Sequence, residues 1–246
     1  MHKQVLAAQD IIFLEKIAGY FEPIAKYFNY QLIGKNKIPK NRKCLLVINH
    51  GIIPFHGFLL ARQLISEKYL AKAPRALGAS FLFALPYVKD FFLKCGAVEA
   101  SPDNARILLK DNRMVMLAPG GIYEALIASA DLKRIPWERR YGFVELACAT
   151  NTPIIPSYCP GINRVYLNSK FLLKARIKLL EKIRFSLPIF MGIGLLPFPI
   201  QLTHYIGTPI KPTRKKGETK RQQIERVHQE VIASMQKLAR IPHGMD

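Results

Sequence analysis

The chain is short of acid and of cysteine, and each shortage narrows the class of protein. Only 17 of its 246 residues are Asp or Glu, against 37 Lys or Arg, which leaves a formal net charge of +20. Its isoelectric point is near 10.0. Such a chain is drawn to polyanions: nucleic acid, an anionic membrane face or phosphorylated substrates. The four cysteines, Cys44, Cys95, Cys148 and Cys159, stand far apart with no metal-ligand spacing. They read as reduced core thiols of a cytosol-facing protein rather than a disulfide framework or a metal site. Zinc-finger spacing and a glycine-aromatic RNA-binding signature are both missing. A mean hydropathy of +0.07 is also high for a basic nucleic-acid binder, so nucleic acid is not expected as a partner. Asp10, Glu15 and Lys16 interrupt the N-terminal apolar residues before a signal-peptide core can form. The nearly apolar stretch 185–200 contains Pro188, Pro197, Pro199 and two glycines. It is shorter than the roughly 20 residues a membrane-spanning helix needs, and reads as re-entrant, interfacial or the lining of an apolar tunnel, with ordinary buried core as the alternative. No internal repeat or low-complexity segment is evident.

What is present fits one domain with a sizeable core: 246 residues, half of them hydrophobic. Apolar runs alternate with helical patterns along the chain, which predicts an α/β fold, a central mixed sheet flanked by helices. Residues 4–33 carry apolar side chains at helical spacing with a break near Pro23, and predict two amphipathic helices. We place a segment boundary after residue 36, with amphipathic, membrane-associating helices in 1–36 and the α/β domain in 37–246; packing of those helices on the domain core is the alternative. Ser101 is the expected N-cap of a helix over 102–110. A basic amphipathic helix is expected over 169–185, where Lys170, Lys174, Arg176, Lys178, Lys182 and Arg184 interrupt apolar residues. Such a helix suits an anionic membrane surface.

Two stretches carry chemistry. Cys44 to Ile48 is a short run rich in branched residues, followed by Asn49-His50-Gly51, and reads as a buried strand ending in a turn. Strand ends of α/β sheets present reactive groups, and His50 there can take and return a proton near neutral pH. Met114 to Leu117 is a second such run, leading into Pro119-Gly120-Gly121, where the backbone can approach a ligand closely. Arg134, Arg139 and Arg140 flank Trp137. Cations beside an aromatic can bind phosphate and stack on a base, which makes Arg139 and Arg140 candidate binders of a nucleotide-bearing donor; the alternative is a solvated loop with a packing tryptophan.

Taken as an ordered set, these motifs resemble the glycerolipid acyltransferase superfamily. The set comprises Asn49-His50-Gly51-x-x-Pro54, Pro119-Gly120-Gly121-x-x-Glu124-Ala125, the Gly142-Phe143 segment with Pro153-Ile154-Ile155-Pro156, and Gly207-Thr208-Pro209-Ile210. The likeness is closest to the branch similar to diacylglycerol acyltransferases. It covers roughly residues 40–240. It implies acyl transfer with no resident cofactor: His50 deprotonates an acceptor hydroxyl, which attacks an acyl thioester carried by coenzyme A or acyl carrier protein. It also makes Asn49, Gly51, Pro119, Gly120, Gly121 and Tyr123 candidate substrate-binding positions. The implied protein works on a membrane lipid from the cytoplasmic face.

Two positions depart from the family pattern. His56 stands where this branch has an aspartate, and Tyr123 stands where its motif has an arginine. The first departure leaves two readings. In one, His56 orients the His50 ring as a weaker stand-in for the acid, and His56→Asp should raise turnover. In the other, the pocket is built around His56 and rejects an acid. Glu124 is a further candidate to assist His50. The second departure favours a neutral acceptor, diacylglycerol or a long-chain alcohol, with a lysophospholipid close behind. A lipid-binding relative without turnover is the alternative to an active enzyme.

Overall fold

The computed structural model describes Val5 and residues 11–84, 86–128, 134–137, 139–183, 186, 188–194 and 196–240. Its centre is strand β2, Cys44–Ile48, every residue of which is buried. An unbroken apolar run suits a strand covered on both faces, as in parallel sheets. Leu45 and Val47 point into a cluster with Val115, Trp137, Val144 and Val231. Cys44, Leu46 and Ile48 point the other way, into a cluster with Leu60, Leu64, Met116 and Ile155. The period of two along the strand thus splits one run between two cores.

Strand β1 is Gln31–Ile33, β3 Arg75–Gly78, β4 Ala97–Glu99, β5 Met114–Leu117, β6 Ile154–Tyr158 and β9 Thr203–Ile206. They form a seven-stranded sheet in the order β1-β9-β6-β2-β5-β3-β4. Strand β2 pairs in parallel with β5 and with β6, so the carboxyl ends of three strands lie side by side. The β6–β9 pair is antiparallel, which makes the sheet mixed as expected. Strand β1 pairs with β9, so the 1–36 stretch contains an edge strand of the sheet as well as helices.

Helices cover both faces. Helix α1 (Ile11–Tyr20) and α2 (Glu22–Tyr27) break at Phe21, and Pro23 sits in the first turn of the second, where its missing N–H costs nothing. Leu14, Ala18 and Phe28 are buried, and Phe21 stacks on Phe58 of α3 (Phe55–Ser66), so these helices have a core-facing side. Helix α4 is Pro86–Lys94 and α5 Pro102–Lys110; the Ser101 hydroxyl accepts from the Asn104 N–H at 3.1 Å, the expected cap. Helix α6 is Gly121–Ile127, α7 Gly142–Thr150, α8 Leu173–Ile183 and α9 Lys220–Ala239. Thr219 and Gln222 close a capping box on α9, satisfying two backbone N–H groups reciprocally. Among the described residues no helix is long and apolar enough to cross a membrane.

The basic helix needs correction at one residue. Arg176 is buried and donates to the Ser169 carbonyl at 2.5 Å, so it belongs to the packing of α8 and not to its solvated face. Lys174, Lys178 and Lys182 are exposed, while Arg184 and Phe185 lie outside the described residues. The apolar stretch after α8 is mostly not core. Phe190–Met191 (β8) pairs antiparallel with Leu167–Asn168 (β7), and Ile189, Met191, Ile193 and Leu196 are exposed.

Leu46 touches no solvent and sits in the middle of β2. Leu46→Ala should therefore destabilise the fold by about 2–5 kcal/mol, the usual cost of such a cavity. Urea denaturation of the detergent-solubilised protein would measure it, and a cost under about 1 kcal/mol would contradict the burial described here.

Candidate active site

The parallel pairing of β2 with β5 aligns Val47 with Leu117. Two residues beyond Val47 and one beyond Leu117 the chain turns, so the His50 turn and the Pro119-Gly120-Gly121 turn share one end of the sheet. On the other side Ile48 is opposite Ser157, which brings Cys159 beside Asn49. Asn49 is buried, and its side chain bonds the Cys159 backbone twice: Nδ2 donates to the carbonyl at 3.2 Å and Oδ1 accepts from the N–H at 2.9 Å. The packing is close enough that a Cβ on Gly51 would stand 2.8 Å from the Ile162 side chain.

His50 is half-buried, and its Nδ1 contacts the Gly51 carbonyl. A carbonyl only accepts, so Nδ1 carries the proton and Nε2 keeps its lone pair. That is the tautomer of a base. Burial lowers the His50 pKa from 6.5, opposed by the Gly51 carbonyl, so the ring stays neutral to a lower pH than usual.

Glu124 is buried, one turn into α6. Its carboxylate accepts from the Trp137 indole at 2.9 Å. Burial pushes its pKa up to about 7, against the pull of the indole and of the His50 backbone N–H. Gly120 has no room for anything larger: a Cβ there would lie 2.2 Å from Glu124 Oε2. Glu124 thus meets His50 through the main chain. This contact corrects the expectation for Trp137, which is fully buried with its N–H committed to Glu124 and its carbonyl bonded by His228 at 3.0 Å. It is not available to stack on a base. Arg139 and Arg140 are exposed, and the Arg140 guanidinium lies 6.0 Å from the Tyr123 ring centre.

His56 is buried completely, and its Nε2 donates to the Asn49 carbonyl at 2.9 Å. Its Nδ1 is buried without a hydrogen-bond partner among the described residues. Behind it stands His204, also buried, with ring centres 5.1 Å apart. His204 Nδ1 pairs with the Tyr30 hydroxyl at 3.0 Å and Nε2 with the Ser157 hydroxyl at 2.6 Å. One hydroxyl donates and the other accepts, which satisfies a neutral imidazole completely. His204 and its partners escaped the sequence reading. The one signal was a histidine between the apolar ends of the run Leu202 to Ile206, at a position whose neighbours in the fold come from β1 and β6.

The fold is one shared with a solved glycerolipid acyltransferase. The 1-acyl-sn-glycerophosphate (LPA) acyltransferase PlsC of Thermotoga maritima superposes with a TM-score of 0.56 at 15% identity, covering 92% of this chain and 80% of that one. The sequence narrows this to a family. The diacylglycerol acyltransferase family model matches residues 9–241, and the chain belongs to that family. A Bos taurus protein named "DGAT1/2-independent enzyme synthesizing storage lipids" is 27% identical over 221 residues, which are 89% of this chain. "Diacylglycerol O-acyltransferase 2" of Dictyostelium discoideum is 27% identical over 230 residues, 86% of this chain and 69% of that protein. The chain spans 62% of the bovine relative.

Burial holds the His204 pKa down at about 3, and His56 well below 6.5. A histidine whose folded pKa is lowered gives its full stability above the unfolded value near 6.5 and loses it as the pH falls below that. At pH 5, His204 alone should cost about 2 kcal/mol relative to pH 7.5. The urea midpoint in detergent should fall accordingly, and His204→Gln should flatten the dependence. An unchanged midpoint in the parent protein at pH 5 would show that these rings are not buried as neutral groups.

Proposed function

We propose that the chain is an O-acyltransferase that moves a fatty acyl group from acyl-CoA, or acyl carrier protein, to a hydroxyl of a membrane lipid. The single observation that carries this is the His50 ring. It stands at the carboxyl end of β2 with Nδ1–H held by the Gly51 carbonyl, which leaves Nε2 free as a base in a chain of the diacylglycerol acyltransferase family. In the reaction Nε2 takes the proton of the acceptor hydroxyl while its oxygen attacks the thioester carbonyl carbon. The carbon–sulfur bond breaks, and the thiolate leaves with the proton that His50 returns. The backbone N–H of Gly120 would stabilise the oxyanion formed in between, since that of Gly121 already donates to the Ala118 carbonyl at 3.1 Å.

The substitution at position 56 does not favour the reading as a lipid binder without turnover. Orientation of the His50 ring is supported by the Gly51 carbonyl and does not require an acid at 56. A carbonyl lacks a full negative charge, however, and holds the imidazolium less strongly than a carboxylate does. Tyr123, with no cation of its own, fits a neutral acceptor such as diacylglycerol or a long-chain alcohol ahead of a lysophospholipid. Arg139 and Arg140 are exposed cations suited to phosphates of the donor.

A seat on an anionic membrane is supported by the surface around α8. Leu167, Phe171, Leu172, Met191, Ile193 and Leu196 are exposed, and Lys170, Lys174, Lys178 and Lys182 are exposed beside them. Each cation near an anionic leaflet contributes about 1 kcal/mol. Helix α8 packs on α6, and the Asn168 amide donates to the Leu126 and Ala128 carbonyls at the far end of α6, so this surface lies against the helix that follows the Gly120-Gly121 turn. The Tyr27 hydroxyl donates to the Pro197 carbonyl at 2.6 Å, tying the N-terminal helices to the same region.

Labelled acyl-CoA offered with diacylglycerol, hexadecanol and a lysophospholipid should give product with the parent protein, and at least about 10³-fold less with His50→Ala. Activity of the parent should persist on acidification to below pH 6.5, because the His50 pKa is lowered. Wild-type turnover in His50→Ala would remove the assignment. Sedimentation with vesicles should be stronger for anionic than for neutral lipid and weaken with salt; equal binding to both would remove the electrostatic part.

A further inference from the structure

The peptide group that joins Asn49 to His50 is held at its carbonyl. That carbonyl accepts from His56 Nε2 at 2.9 Å. The Asn49 side chain fixes the preceding Cα by its two bonds to Cys159. Neither ring nitrogen of His56 is bonded to the His50 ring: one is committed to the carbonyl and the other is buried without a partner. A donor at Nε2 leaves Nδ1 as the bare nitrogen, so His56 is a single neutral tautomer. Protonation would place an unpaired N–H, and a charge, against His204 in a site closed to water.

We infer that His56 is a positioning residue that acts on His50 through the main chain. It fixes the plane of the Asn49–His50 peptide, and with it the direction in which the base leaves the backbone. This rests on His50 being the base. Catalytic groups must be held to about 0.5 Å and 10–20°, and a misplacement of about 1 Å can cost on the order of 10²-fold. A peptide plane free to tilt would exceed those limits at the tip of an imidazole. In this role the residue at 56 has to donate a hydrogen bond and does not have to titrate. An aspartate would turn an acceptor, and a charge, towards the Asn49 carbonyl.

Three variants decide it. His56→Leu fills similar space without a donor, and should lower kcat by about 10²-fold with KM little changed. His56→Gln places an amide N–H where Nε2 stood, and should recover most of that loss with the acidic limb of the pH–rate profile unmoved. His56→Asp should be at least as slow as His56→Leu. The inference is overturned if His56→Gln is no faster than His56→Leu, if His56→Asp exceeds the parent, or if the acidic limb moves in His56→Gln. Should His56→Leu fail to fold, the Gln and Asp variants still decide by the same criteria. Amide hydrogen exchange over residues 44–57 is read alongside. If the parent transfers no acyl group to any acceptor, the proposed function fails and exchange alone decides. Faster exchange in His56→Leu or His56→Asp but not in His56→Gln supports the clamp, and equal exchange in all variants refutes it.

Discussion

Everything near His50 depends on the parallel pairing of β2 with a neighbour on each side. Parallel strands end together, so three turns far apart in sequence meet at one edge of the sheet. The turn after β2 brings His50, the turn after β5 brings Gly120 and Glu124, and the end of β6 brings Cys159. The pairing is enforced by burial, because β2 has no solvent-facing side and a one-residue slip would exchange its two cores. Helices α3, α5, α7 and α9 supply those cores and in doing so fix where the turns stand.

A buried strand end is a costly place for polar groups, and here nearly all are partnered. Asn49 takes both its bonds from one backbone residue, Glu124 accepts from an indole, and His204 is bonded through both nitrogens. Such satisfied networks give a turn one conformation, since any other would leave a donor or acceptor unpaired. The His56 Nδ1 is an exception, and its lack of a partner is consistent with a ring whose contribution is made wholly through its other nitrogen.

How much of this could be read from the sequence follows from the range of each interaction. Strands β2 and β5 were legible because doubly buried parallel strands are continuous apolar runs, and the Ser101 cap was legible because its bond spans three residues. The fold class followed from alternation along the chain. For Trp137 the sequence left two readings open, for the opposite reason. In sequence it lies among Arg134, Arg139 and Arg140, while its partner Glu124 is thirteen residues away and reaches it only once the sheet has formed. Arg176 shares the spacing of its lysine neighbours, and only the turn at Ser169 reveals that it is buried. His204 and Ser157 are 47 residues apart on antiparallel strands, a pairing that no local pattern announces.

The bonds between Asn49 and Cys159 span 110 residues, and that span has a temporal meaning. A ribosome finishes β2 well before β6, yet the turn after β2 has no fixed shape until β6 has been added alongside. The ring contact between His56 and His204 extends the wait to β9. Long-range closures of this kind are the slow steps of folding. A nascent or truncated chain therefore carries the His50 sequence without the His50 geometry, and the base comes into register only as the last strands of the sheet are laid down.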